Sequence, residues 1–271
     1  CANGCLAYHV DANFKLRCGR CRAKPHGAPL MLSSAGSDLS FNADNDTLSN
    51  LEMVEFRLWR HRSPSEGGLG VPQNSVPFAD GCPDLRAAGG QKANSKKYRF
   101  TGVSYAVCRH NVANVGLGLV VDTPGEGLEY AHFAFRKALH MSGQLPLVKV
   151  FRPLPDQLWP KISMFFSDMP CQLIPHLRKF DGAILALVDI KIGEVHKFSH
   201  SCQLTNSGSY CRGAACSSGE WTEPFWSKLN SMAPSLENCG ATLFYEKLAN
   251  ATYIENERSR RNTPEQLCRM G

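Results

Sequence analysis

His9-Val10-Asp11-Ala12-Asn13-Phe14-Lys15-Leu16 is the stretch on which the fold turns. Entered from Leu6-Ala7-Tyr8, it reads as a strand that reaches a turn at Ala12-Asn13 and leaves in alternation through Phe14-Lys15-Leu16. Residues 1–24 are therefore expected to form a first hairpin, with Asp11 where the strand meets its turn. A second acid stands in a similar place. The short apolar run 162–166 ends at Ser167-Asp168, and helical spacing follows over 171–179. Acidic groups at strand ends are what an open α/β sheet presents to its crevice. Either Asp alone reads as readily as a strand end or a turn cap.

Outward from these two points the pattern is mixed. Residues 25–96 are rich in Gly, Ser, Pro, Asn and Asp and read as a long loop-rich insertion with one helical piece over 50–62. Strands are expected over 100–108, 115–121 and 183–192, and a helix over 126–141 from the spacing of Leu128, Ala131, Phe133, Phe135 and Leu139. From 220 to about 258 the chain reads as predominantly helical, with Pro224 tolerated only in a first turn. Strands first, then alternating strand and helix, predict an α/β fold with a mixed sheet flanked by helices. Residues 97–271 form the remainder of the core begun at 1–24.

Composition sets limits. The chain of 271 residues is 43% hydrophobic and only 20% charged, enough for a sizeable core and unlike a disordered segment. A net charge of +6 permits contact with polyphosphate without requiring it. No apolar run of membrane-spanning length is present, and no membrane partner is expected. The start at Cys1, with neither methionine nor leader, reads as a fragment or a processed piece. Twelve cysteines are many, but their C-x3-C and C-x2-C spacing beside histidines leans towards metal and a reduced compartment.

Six blocks together resemble the Kyakuja–Dileera–Zisupton transposase family. They are His9-Val10-Asp11-Ala12-Asn13-Phe14-Lys15-Leu16, Thr101-Gly102-Val103 through Val107-Cys108-Arg109-His110, Gly125-Glu126-Gly127-Leu128-Glu129-Tyr130-Ala131, Ser167-Asp168-Met169-Pro170-Cys171-Gln172, His200-Ser201-Cys202-Gln203, and Gly219-Glu220-Trp221-Thr222-Glu223-Pro224-Phe225-Trp226-Ser227. They stand in the family's order over nearly the whole chain. The resemblance implies a ribonuclease-H-like catalytic domain in the nucleus, with an Asp-Asp-Glu triad at Asp11, Asp168 and either Glu220 or Glu223. It implies two Mg2+ or Mn2+ ions, since two-metal phosphoryl transfer needs about three converging carboxylates, and DNA ends and target DNA as partners, with homo-oligomers expected. The family's transposases are much longer, so recognition of DNA ends is expected outside this chain. This sequence departs from the blocks at Asn111, where Gly is usual, at Ser218, where an acid is usual, and at Pro224, where a basic residue is usual. Two other readings stay open: a zinc-stabilised, non-catalytic DNA-binding relic, and a metal-dependent nuclease without strand transfer.

The two glutamates are weighed on local chemistry. Ser217-Ser218-Gly219-Glu220 fits a capping box that would occupy Glu220. Pro224 disfavours helical geometry at Glu223, however, and Gly219 lets the backbone approach an ion just before Glu220. The balance favours Glu220.

Cys1, Cys5, Cys18 and Cys21 would gather at the base of the first hairpin, where four thiolates suit structural zinc, with other pairings or isolated thiols the alternative. Such a site would lie about six residues from Asp11, roughly 20 Å away. His196, His200, Cys202, Cys211 and Cys216 form a looser group that reads first as packing. Lys15, Arg17, Arg20, Arg22 and Lys24 follow Asp11 closely enough to hold a DNA backbone. Arg109-His110 could bind phosphate or lock a loop to a carboxylate. Arg57, Arg60 and Arg62 read as an ordinary solvated face.

Overall fold

A computed structural model of the chain describes residues 7–19, 50–72, 97–123, 127–146, 151, 161–196, 202–210 and 218–270. The main sheet is built from β1 (Ala7–Asn13), β4 (Gly102–Cys108), β5 (Ala113–Val121), β6 (Met164–Phe166) and β7 (Asp189–Lys191) in the order β5-β4-β1-β6-β7. β2 (Cys18–Gly19) and β3 (Tyr98–Phe100) form a separate two-stranded piece. β4 runs antiparallel to β1 and β5, whereas β6 runs parallel to β1 and β7. The sheet is mixed and β1 is its central strand.

Helices cover both faces. On one side lie α2 (Leu128–Met141) and α3 (Pro170–Phe180), packed on a core of Val10, Ala106, Leu117, Phe135, Phe165 and Leu173. On the other lie α6 (Thr222–Leu229), α7 (Ala233–Glu237) and α8 (Ala241–Met270), over Val103, Tyr105, Phe166, Phe225, Trp226 and Phe244. The short helices α4 (Gly182–Leu185) and α5 (Gln203–Asn206) serve as connections. Because side chains alternate across a sheet, Val10 faces α2 while His9 and Asp11 face α6. On β6, Phe165 joins the first core and Met164 and Phe166 join the second. Two residues beyond Phe166, Asp168 continues the α6-facing parity.

The chain departs from expectation in three places. Phe14-Lys15-Leu16 does not return along β1: that edge is taken by β4, from Tyr8 opposite Cys108 to Asn13 opposite Val103, and Cys18–Gly19 pairs with Tyr98–Phe100. Three alternating residues are too few to fix a partner, and Leu16 is instead fully buried beneath α6–α8. The run 183–192 is not one strand but the helical turn α4 followed by β7; a continuous apolar run carries no period that separates the two. Finally, the helix expected over 50–62 forms as α1 (Asn50–His61) but belongs to the core. Met53, Phe56 and Trp59 pack against Leu119, Tyr130 and Phe133. The rest of the 25–96 insertion, apart from 50–72, lies outside the described residues.

Arg57 and Arg60 are not a solvated face either. Arg57 clasps both Asp122 oxygens at 2.8 and 2.9 Å and also reaches Glu129 at 2.6 Å, while buried Arg60 meets Glu129 at 3.2 Å. These pairs and the Lys137–Glu52 pair fasten α1 to α2 and to the end of β5. No helix among the described residues is long and apolar enough to cross a membrane.

Candidate metal centre

Three sites far apart in sequence meet on the α6 side of the sheet. His9 on β1 is fully buried, with its Nε2 3.2 Å from Asp168 Oδ1. Its Nδ1 lies 2.7 Å from Thr222 Oγ1 and 3.4 Å from the Thr222 amide, which begins α6. Both ring nitrogens are thus engaged and the ring plane is fixed. Burial pulls its pKa down, but the hydrogen bond and charge of Asp168 outweigh that and raise it.

Asp11 is buried beside them, and Trp226 Nε1 donates to its Oδ2 at 3.0 Å. Its carboxyl is pushed up to about 7, first by burial and next by the charge of Asp168, against the opposing pull of His9 and of the Trp226 hydrogen bond. Two acids that cannot comfortably ionise together are what a bound cation would relieve.

Glu220 enters from the loop that precedes α6. Gly219 before it has φ +68, and a Cβ there would run into the Phe166 ring, so only glycine lets the chain turn this close to β6. The Glu220 carboxylate does not fold back to cap its own helix, which begins two residues later at Thr222 with Trp221 at the N-cap. Instead Oε1 accepts from the Val195 amide at 2.9 Å and the His196 amide at 3.4 Å. Glu220 Oε2 is buried with no hydrogen-bond partner, a costly state for a carboxylate oxygen. One donor atom from each of His9, Asp168 and Glu220 lies within 4.8 Å of the other two, a spacing fit for a shared ion.

His196 stands beside the same carboxylates. Its Nε2 stands 3.4 Å from Asp168 Oδ2, 3.7 Å from Glu220 Oε2 and 3.9 Å from Glu223 Oε1. Glu223 first, then the charges of Asp168, Glu220 and Asp11, outweigh partial burial and lift its pKa to about 9. Glu223 is 60% exposed in its side chain, against 9% for Glu220, and His196 holds its carboxyl below the usual range. An imidazolium ringed by carboxylates marks a place that draws positive charge.

A family model, Kyakuja-Dileera-Zisupton transposase, matches residues 5–252 of the 271. The chain belongs to that transposase family. No curated protein and no solved structure matches it. Membership makes it a transposase in the general sense, a DNA-binding and nucleic-acid-cleaving protein.

Set on the fold, three of the family's blocks meet and a fourth stands apart. The blocks carrying Asp11, Asp168 and Glu220 come together at the centre described above. The block carrying Arg109 and His110 sits in the turn between β4 and β5. That turn lies beyond Cys108, which faces Tyr8, so it is at the end of β1 remote from Asn13. Asn111 there adopts φ 56, a left-handed conformation that Asn tolerates better than other residues with a side chain, which accounts for its standing where the family usually has Gly. Lys15 is exposed, while Arg17 stacks its guanidinium 5.2 Å from the Tyr98 ring. Cys18 is buried with its Sγ 3.5 Å from the Cys239 carbonyl. Cys1, Cys5, Cys21, Arg20, Arg22, Lys24, His200, Cys211 and Cys216 lie outside the described residues.

Four contributors escaped the sequence reading: His9, Thr222, Trp226 and Gly193. His9 was legible in part, because it lies two residues before Asp11 and so on the same strand face. Thr222 and Trp226 stand in the Glu220 block, and only the packing of α6 on β1 reveals their partners. Gly193, whose backbone lies so close beside the Glu220 carboxylate that a Cβ there would stand 2.5 Å from the carboxyl carbon, is recognisable solely from that proximity.

Proposed function

We propose that this chain is the catalytic domain of a DNA transposase with a ribonuclease-H-like fold, acting in the nucleus through Asp11, Asp168 and Glu220. The β5-β4-β1-β6-β7 order, antiparallel on one side of β1 and parallel on the other, supports the fold. The observation that carries the function is the convergence of Asp168 and Glu220 with His9 within 4.8 Å, with Glu220 Oε2 buried without a hydrogen bond and Asp11 near enough to Asp168 to be raised to about 7. That donor set fits divalent cations. Mg2+ or Mn2+ bound there would activate the attacking oxygen and stabilise the leaving oxygen of an in-line displacement.

The chain's own residues prepare the site. Trp226 and the Val195 amide aim Asp11 and Glu220, and His9 aims Asp168. The first step is attack by water on a phosphodiester at the element's end. The freed 3′-hydroxyl then attacks target DNA by the same in-line route.

The test is cleavage of labelled duplexes carrying the element's ends, with Mg2+ or Mn2+. Asp11→Asn, Asp168→Asn and Glu220→Gln should each abolish cleavage while sparing DNA binding. Wild-type rates in any of them would remove that residue from the triad. Supplying a pre-cut 3′-hydroxyl end and finding it joined to target DNA distinguishes a transposase from a nuclease.

A further inference from the structure

We propose that His9 is itself a metal ligand, so that one ion of the centre is held by His9 Nε2, Asp168 and Glu220 and is a divalent transition ion in preference to Mg2+. This rests on the reading of the site as a divalent-metal centre and names a donor that an all-carboxylate triad does not contain.

Geometry favours His9 over Asp11 for this position. Cis ligands of an octahedral ion with bonds of about 2.1 Å stand roughly 3 Å apart. His9 Nε2 and Asp168 Oδ1 are 3.2 Å apart, and the atoms offered by His9, Asp168 and Glu220 all lie within 4.8 Å of one another. Asp11 is not in that set, and its Oδ2 is committed to the Trp226 indole. Glu220 adds the buried oxygen that has no hydrogen-bond partner.

The far side of the His9 ring is also arranged as a ligand requires. Metal-bound imidazoles use their second nitrogen in a hydrogen bond that fixes tautomer and ring plane. Thr222 Oγ1 stands 2.7 Å from Nδ1, both residues are fully buried, and Thr222 is anchored at the start of α6. With an ion in place, Nε2 turns its lone pair to the metal and Nδ1 carries the proton, donating it to Thr222 Oγ1 at 2.7 Å and giving up the long 3.4 Å contact from the Thr222 amide. One nitrogen and two carboxylates suit Mn2+ and later ions better than Mg2+, which prefers oxygen and keeps its waters.

The experiment is Mn2+ titration of the whole chain without DNA, read by calorimetry and pulsed electron paramagnetic resonance. Mn2+ should bind about tenfold or more tightly than Mg2+, with an imidazole nitrogen coupled to the bound ion. His9→Gln should remove that coupling and weaken Mn2+ binding by about 10-fold or more, with Mg2+ affected less. If His9→Gln does not fold, Thr222→Val should keep the fold and weaken Mn2+ roughly 10-fold. A bound Mn2+ without nitrogen coupling, or coupling that survives in His9→Gln, overturns the His9 assignment and leaves the carboxylate centre standing. Failure of the wild type to bind Mn2+, or binding indifferent to Glu220→Gln, overturns both.

Discussion

Gly193 backs directly onto the carboxylate of Glu220: a Cβ at position 193 would stand 2.5 Å from the Glu220 carboxyl carbon and closer still to Oε1. The backbone at Gly193 leaves β7 and passes beneath the glutamate, whose other contacts, the Val195 and His196 amides, come from the same turn. Glycine here is required by the ligand rather than by a turn, since its φ is not among the left-handed ones.

Gly193→Ala should therefore swing the Glu220 carboxylate out of place. Mn2+ affinity is expected to fall by about 10-fold or more, within the range set by disturbing a ligand's support, while DNA binding persists. Gly182→Ala is the control, because a Cβ there meets nothing within 4 Å, so stability should be unchanged or slightly higher. Unaltered metal affinity in Gly193→Ala would mean that Glu220 is not held where its hydrogen bonds place it.

Glu220 and Glu223 should part company on substitution. Glu220→Gln replaces a buried oxygen that no hydrogen bond satisfies, so metal binding and cleavage should vanish together. Glu223 is mostly exposed and touches the centre through His196 at 3.9 Å. Its change to Gln should cost little stability, as exposed pairs contribute about 0–1 kcal/mol, and lower cleavage by a few-fold at most. Single-turnover cleavage of both variants decides this, and the reverse order of severity would move the ligand role to Glu223.

How far these roles were legible in the sequence depends on the range of the interactions behind them. Asp11 and Asp168 could be placed at strand ends because alternation and apolar runs are local signals. The partner of β1 could not, since Phe14-Lys15-Leu16 alternates as well as any strand, yet β4 takes that edge and Leu16 is buried beneath α6–α8. The capping box at Ser217–Glu220 was a sound local motif overridden by two amides from 195–196. α1 reads as part of an insertion because the residues around it are rich in Gly, Ser, Pro, Asn and Asp, and its cations read as a solvated face, yet Arg57 and Arg60 find Asp122 and Glu129 some 65 to 72 residues away. In each of these a long-range contact outcompetes a local pattern, whereas the run 183–192 is ambiguous because an apolar run carries no period.

The buried pair of His132 and Asp181 sets an acid limit on stability. His132 Nε2 lies 2.9 Å from Asp181 Oδ2, and Arg136 binds the other oxygen. Burial lowers the His132 pKa to about 4, so the folded chain keeps it neutral where the unfolded chain protonates it. Stability linked to His132 is thus complete above the ordinary value of 6.5 and is lost as pH falls towards 4. Asp181 is held below the usual carboxylate range because His132 and Arg136 outweigh its burial, so its contribution too is lost only in acid. Asp11, raised to about 7, pulls the opposite way over the same window, so the difference between variants is the informative quantity. Denaturant titrations between pH 7 and 4 should show His132→Gln with a shallower acid loss than wild type, by up to about 1.4 kcal/mol per pH unit, the value for one proton. Parallel curves for the two proteins would mean that His132 is not buried neutral.

Asp11→Asn should stabilise the metal-free protein while destroying its activity. A carboxyl whose folded pKa is raised favours the fold when protonated, and that advantage is lost as pH rises through about 7. At pH 8 Asp11 is ionised beside Asp168 with only His9 and the Trp226 indole to offset the charge. The amide that replaces the carboxylate would keep the indole hydrogen bond through its oxygen and remove the repulsion. In chelator at pH 8 the variant should melt several degrees above wild type, at roughly 2–4 °C per kcal/mol for a chain of this size, and the gap should close near pH 5. Trp226→Phe should do the reverse, leaving a buried carboxylate without its donor at a cost of about 1–3 kcal/mol. Saturating Mn2+ should raise both proteins, since binding at a hundredfold excess over Kd adds about 2.7 kcal/mol and His9, Asp168 and Glu220 are unchanged in the variant. An Asp11→Asn protein that melts below wild type in chelator at pH 8 would show that Asp11 is a satisfied structural acid rather than one awaiting a cation.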